Sequence, residues 1–287
     1  MIYLLALGSA LLYGAADFTG GLATRRFATI PVVILSQFSG LVSLLFLLPL
    51  LPDTSPTRAD MLWGAVAGLT GGVGVGLLYR ALAVGTMAVV APTTAVCAVA
   101  IPVVVSVLLG ERPGPVAALG IGLGIVSIVL VSRQTLGEER PTTGTGRGRL
   151  PPGVGIALIS GVAIGFFFLA LAQTRSEAGM WPLVASRLLS VVLFGITAMA
   201  TRQSVRMPQR IVLLAGVCGI IDMLANALYL LAARDGPLSL VVTLSSLYPA
   251  STVLLARVIL HERLNGWQIS GVACALAAVV LIVRGGS

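Results

Sequence analysis

Apolar residues run along this chain in long blocks separated by short polar breaks. A helix rising 1.5 Å per residue needs roughly 20 apolar residues to cross a bilayer. Ten segments reach that length, approximately 2–22, 29–51, 61–82, 87–109, 114–132, 153–173, 180–200, 211–233, 237–260 and 266–283. Most breaks are only a few residues long. The break from Arg133 to Pro152 is polar and rich in Gly, Pro, Thr and Arg, and reads as a flexible linker, while that from Thr201 to Arg210 carries three arginines. The pattern predicts an all-α polytopic membrane protein of ten transmembrane helices. A first five-helix unit covers 1–133, a polar linker 134–151 and a second five-helix unit 152–287. The opening stretch has no positive residue ahead of it, so it reads as a first membrane helix rather than a cleaved signal.

The two units carry one pattern twice. A shift of 151 residues places Gly14 on Gly165, Gly85 on Gly236, Glu111-Arg112 on Glu262-Arg263, Gly120 on Gly271 and Arg133 on Arg284. Tyr79 meets Tyr229 at a shift of 150. An odd number of spans per unit requires the second copy to enter the membrane upside down, which gives two inverted five-helix repeats. Repeats of this kind are common in secondary transporters, so the architecture points to transport.

Composition agrees. Of 287 residues, 57% are hydrophobic and 10% charged, against about 25% charged in a soluble domain. All 18 basic residues are arginine, so a lysine Schiff base and a lysine-bearing phosphate loop are excluded. The net charge of +8 comes from arginines scattered singly over short breaks, which reads as a topology signal rather than a nucleic-acid surface. His261 is the only histidine, and the three cysteines (Cys97, Cys218, Cys274) fall far apart in apolar stretches. Neither a histidine metal centre, nor a disulfide framework, nor a cofactor is expected.

An ionisable residue inside a span costs at least about 2.5–3.5 kcal/mol at the helix centre, so each one needs a reason. Three stand out: Asp17, Arg187 and Asp222. Asp222 lies mid-span, with Asn226 and Tyr229 at i+4 and i+7 on the same face. The matching face of the third span offers Gly72, Gly76 and Tyr79, so one unit supplies polar groups where the other supplies room. Asp17 shares a stripe with Ser9 and Tyr13, and its counterpart is Phe168. Depths reckoned from span centres put Asp222 near the midplane, Arg187 roughly 5 Å to one side and Asp17 roughly 7–8 Å to the other. Arg187 and Asp222 are therefore the matched pair, either as part of a solute site or as a purely structural bridge. Asp17 is then the less neutralised acid, unless it caps the end of a short first span. Arg80 and Arg257 near span ends read as headgroup anchors, and Glu111, Glu262 and His261 as groups of the turns. The glycines at 64, 68, 72 and 76 form a ladder for close helix approach. Pro92, Pro102 and Pro249 inside spans predict kinks, with Thr93, Thr94, Thr243, Ser246 and Tyr248 nearby to bind solute or repair freed carbonyls.

Leu244-Ser245-Ser246-Leu247-Tyr248-Pro249, then His261-Glu262-Arg263, then Gly271 form a sequence of signals that the first unit repeats more loosely. There it reads Pro92, then Gly110-Glu111-Arg112, then Gly120, with Ala98 where the second has Pro249. This arrangement resembles the EamA-type repeat of the drug/metabolite transporter superfamily over essentially the whole chain. The resemblance implies a carrier of small organic metabolites, often an exporter, in the cell membrane with both termini cytoplasmic. The arginines imply the reverse orientation, with five on the side of the termini and ten on the other once Arg80, Arg187 and Arg257 are set aside. The expected function is a secondary active transporter, driven by a solute gradient or coupled to protons, exporting amino acids or drug-like compounds by alternating access. Its partners are a small-molecule solute and the lipid bilayer, with no nucleic acid, in a monomer or homodimer. Tyr13, Asp17, Arg187, Asp222, Asn226, Tyr229 and Tyr248 are the candidates for solute binding or coupling. The alternatives are a membrane-embedded enzyme, which would need convergent catalytic groups, and a receptor or assembly subunit without transport activity.

Overall fold

A computed structural model describes residues 2–50, 54–108, 114–132, 151–235, 244–245 and 247–285. Among them are ten α-helices: α1 (Ile2–Arg26), α2 (Thr29–Leu47), α3 (Arg58–Val84), α4 (Met87–Leu108), α5 (Pro115–Ser132), α6 (Val154–Ala172), α7 (Trp181–Ala200), α8 (Gln209–Asp235), α9 (Tyr248–Ile259) and α10 (Gly266–Gly285). Short 3₁₀ turns lie at Leu48–Leu50 and Ser176–Ala178. Seven helices are long and apolar enough to cross a membrane, and α4, α5 and α9 contain shorter apolar stretches. Large apolar side chains such as Leu4, Phe46, Leu62, Met199 and Val258 point outward, as a surface solvated by lipid requires. Gly110, Glu111, Arg112, Gly236, Thr243, Ser246 and the predicted linker up to residue 150 lie outside the described residues.

The helices pack as two groups. In the first, α1 lies against α8 and α9, and α2 against α8; in the second, α6 lies against α3 and α4, and α7 against α3. Exchanging α1–α5 for α6–α10 turns one set of neighbours into the other. The groups meet along α1–α3, α2–α7 and α4–α9, while α5 and α10 pack on each other. Single hydrogen bonds repeat the same exchange. Ser9 Oγ donates to the Ala225 carbonyl at 2.9 Å, and Ser160 Oγ to that of Gly74 at 2.7 Å. Ser245 Oγ donates to Ala6 O at 3.4 Å, and Thr94 Oγ1 to Ala157 O at 3.3 Å. Donors and acceptors of each pair of bonds stand 151 residues apart.

The glycine ladder of α3 lets backbones touch. A Cβ on Gly64 would strike the backbone of Pro182, one on Gly68 that of Ser186, and one on Gly72 the hydroxyl of Ser190. The neighbouring stripe, Gly71 and Gly74, does the same against Phe167 and Ile164 of α6. Thus α3 is clasped between α6 and α7 on two adjacent small-residue faces.

The connections gather at two ends. At one, Thr57 caps α3 by accepting from Asp60 N–H, while Asp60 accepts from Arg175 Nη2 at 3.0 Å and from Arg175 N–H at 3.0 Å. Ser55 N–H also reaches Glu177 O at 3.0 Å there. At the other end, Arg25 donates to the carbonyl of Gly85 and to Glu262, at 2.9 and 2.8 Å. Glu262 in turn accepts from the N–H groups of Met87 and Ala88 at 3.1 and 3.0 Å, capping α4 from across the molecule. His261 directs it there: its left-handed backbone (φ 53°) ends α9 and turns the chain toward α4.

Two expectations need correction. Asp17 does not cap the end of a short first helix, because α1 continues past it to Arg26. Pro249 does not kink the interior of a helix. It sits in the first turn of α9, behind a turn at Leu247, because proline lacks the N–H an interior position needs but suits a first turn. Pro92 and Pro102 do lie inside α4, which runs unbroken through Ala98 at the position matching Pro249.

Candidate functional site

Arg187 owes its direction to the α3–α7 contact. Ser186 and Ser190 face the α3 glycines, with Ser190 Oγ donating to Gly68 O at 2.8 Å. One residue further along a helix is a rotation of roughly 100°, which aims Arg187 at α2 and α8 instead. Its Nη2 pairs with Asp222 Oδ2, and its Nη1 donates to Gln37 Oε1 at 2.7 Å. Gly40 lies beside the guanidinium and faces the Gly219 carbonyl, which a Cβ there would approach to 3.2 Å. The two side chains are only 13% and 25% exposed, so the pair is shielded from water. Asn226 Nδ2 donates to Asp222 O at 2.8 Å and approaches Oδ2 at 3.4 Å, steadying the acid from one turn away. The ion pair bridges the two helix groups, with Asp222 in the first and Arg187 in the second.

The α1 stripe lies beside it. Ser9 is committed to the Ala225 carbonyl. Tyr13 meets Tyr248 edge to face, with ring centroids 6.2 Å apart and planes at 63°. Gly14 makes this possible, because a Cβ there would collide with Tyr248 O and Ser251. Tyr13 lies within electrostatic reach of Asp222, Arg187, Tyr229 and Tyr248. Asp17 feels Asp222 and acts in turn on Tyr79 and Tyr248. Among the described residues it has neither a hydrogen-bond nor an ion-pair partner. Tyr229 packs partly into an apolar cluster with Ala6 and Ala232. All seven candidate residues are half-buried.

Below Asp17, toward the Arg25–Glu262 end, α1 closes on α3. Gly20 seats the Tyr79 ring, Gly21 faces Leu82 and Met87, and Thr24 Oγ1 donates to Tyr79 O at 2.9 Å. Tyr79 Oη and Cys218 Sγ are 3.0 Å apart, and Cys218 Sγ reaches Ala16 O at 3.2 Å. The candidate site therefore has a floor made by α1, α3 and α8. Gln37 and the Tyr79–Cys218 contact were not among the sequence candidates. Gln37 carried a signal, being a buried amide beside the counterpart of Arg187. Cys218 carried none, since a cysteine in an apolar helix looks the same with or without a partner. Thr93 and Thr94 are spent on the carbonyls of Val89 and Ala157. Arg80 and Arg257 are exposed. No group of three His, Cys, Asp or Glu able to hold a metal occurs among the described residues.

Long apolar helices with outward-facing apolar side chains, enclosing an Arg–Asp pair between them, define an integral, multi-pass membrane protein. The model of the EamA-like transporter family matches residues 1–133 and 151–284, and the chain belongs to that family. It is similar to a "Probable terminal-alkyne amino-acid exporter" of Streptantibioticus cattleyicolor, with 30% identity over 154 residues. That match covers 49% of this chain and 48% of the relative, so the chain spans about half the length of the curated relative it matches. A solved structure described as "Crystal structure of protein" superposes with a TM-score of 0.60 at 19% identity, covering 98% of this chain and 95% of the other, and shares the fold.

Proposed function

We propose that the protein is a secondary active exporter of small organic metabolites, amino acids or drug-like compounds among them, working by alternating access between two inverted repeats. The observation that carries this reading is the Arg187–Asp222 pair, which joins the two helix groups beside Asp17, an acid without a hydrogen-bond or ion-pair partner among the described residues. A charge pair across a moving interface has a purpose there: it can part and re-form as the groups rock, at a cost the bound solute offsets. The reciprocal bonds of Ser9 and Ser160 support the repeat, and the connections gathering alternately at two ends support ten spans with the second unit inverted. The similarity to an amino-acid exporter supports export of a small organic solute.

In this reading the site is lined by Tyr13, Asp17, Arg187, Asp222, Asn226, Tyr229 and Tyr248. Its floor is closed at the Arg25–Glu262 end, where Glu262 of the α9–α10 turn holds the first turn of α4, and Arg25 the last carbonyls of α3. Those bonds run between the helix groups, so opening toward that end requires breaking them. The Asp60–Arg175 pair joins α3 to the α6–α7 turn inside one group and stays intact throughout. Coupling to protons runs through Asp17, the acid free to titrate without breaking an ion pair. Purified protein in liposomes tests the reading: preloaded small organic solutes exchange with labelled external ones, and protein-free liposomes show none. Absence of exchange across a broad metabolite panel refutes it.

A further inference from the structure

The charges of the candidate site do not cancel. Asp17, Asp222 and Arg187 are the acidic and basic side chains on its facing helices, and together they carry one net negative charge whenever both acids are ionised. The positive charge of Arg187 is already matched by Asp222, and its second amino group donates to Gln37. Asp222 is held by Arg187 and by Asn226. Among the described residues Asp17 has no hydrogen-bond or ion-pair partner, and it is half-buried on the helix whose next turn carries Tyr13. An ionised group kept out of water without a counter-ion is unfavourable, and a solute supplying the missing positive charge removes that cost.

We infer that the preferred solute is an organic monocation, an ammonium on a compact apolar body. Its charged head pairs with Asp17, and its apolar part lies against the Tyr13–Tyr248 edge. The aromatic pair contributes twice, since a tyrosine presents apolar surface to the body and a negative ring face to the cation. A zwitterion leaves the net charge of the site unchanged and brings a carboxylate for which no free cation exists among these groups. A monoanion makes the imbalance worse. A bare divalent metal is disfavoured by the ligand set, because no third acid, histidine or cysteine joins Asp17 and Asp222 among the described residues. The repeated scaffold does not impose this charge: the position matching Asp17 is Phe168. Asp17 is thus a specificity-determining residue of this chain.

This inference rests on the transport reading, and two readouts keep their failures apart. Matched triplets that share a body and differ in head group are tested on purified full-length protein: 2-phenylethylamine, phenylalanine and 3-phenylpropionate, with butylamine, norvaline and pentanoate as a smaller set. The readouts are thermal stabilisation in detergent and competition against the solute exchanged in liposomes. Each amine should outcompete its zwitterion and its acid at least tenfold and be the member that stabilises the fold. Asp17→Asn should reduce the preference to less than twofold, while Asp17→Glu should retain it and so exclude misfolding as the cause. Equal or stronger action of a zwitterion or acid overturns the inference and leaves transport standing, as does an unchanged amine preference in Asp17→Asn. Lack of stabilisation by either amine overturns it as well, whereas lack of exchange for every solute removes the transport reading itself.

Discussion

Arg187 of α7 and Asp222 of α8 face each other across the junction of the two helix groups, with Gln37 of α2 completing the arginine's bonds. Removing either charge leaves the other unpaired and shielded from water. Arg187→Met and Asp222→Asn should each cost about 3 kcal/mol, the usual penalty for breaking rather than replacing a buried pair. The double variant Arg187→Met/Asp222→Leu should recover most of that loss, read as the unfolding midpoint in detergent, while transport stays lost. Recovery of both stability and transport would make the pair a structural bridge only.

Glu262 ties the α9–α10 turn to the start of α4. Glu262→Ala should loosen the end where Arg25 lies. A single cysteine at Thr86, in a background without native cysteines, should then be labelled at least five times faster by a membrane-impermeant reagent. Asp60→Asn breaks an ion pair within one helix group and should leave that labelling rate unchanged.

His261 adopts a left-handed backbone that costs a non-glycine residue about 1 kcal/mol, and the matching position of the first unit is Gly110. His261→Gly should raise stability by about that amount with transport retained. A marked loss of transport would instead give the imidazole a role of its own.

Two glycines on adjacent helices predict opposite outcomes. A Cβ on Gly68 meets the backbone of Ser186, whereas one on Gly195 of α7 meets nothing within 4 Å. Gly68→Ala should separate α3 from α7 and lower the yield of folded protein. Gly195→Ala should be neutral or stabilise by up to about 1 kcal/mol through helix propensity.

Much of this structure was readable in the order of residues. Apolar blocks located most described helices to within a few residues, because a span must be long and uncharged, but the block at 237–260 holds the shorter α9, Tyr248–Ile259. The Arg187–Asp222 pairing followed from depth alone, since two charges in an apolar setting can satisfy each other only at one level. The α3 ladder followed from spacing. What the residues concealed was lateral geometry. Gln37 reaches the pair where Gly219 lets α2 close on α8, and Cys218 meets Tyr79 where α3 and α8 face one another. Thr94 was open to solute contact or to carbonyl repair, and it is consumed by the Ala157 carbonyl. A hydroxyl in an apolar helix gives the same signal in either role. Pro249 misled for a related reason: sequence shows that a helix is interrupted, not whether it bends or begins there.

The central claim is that a solute crosses between the helix groups at the Asp17 and Asp222 acids. It is tested most directly by initial rates of solute exchange in liposomes for wild type, Asp17→Asn and Asp222→Asn, each shown to be folded and inserted. The account predicts robust exchange by wild type and at least a tenfold fall in both variants. Wild-type rates in both would contradict it.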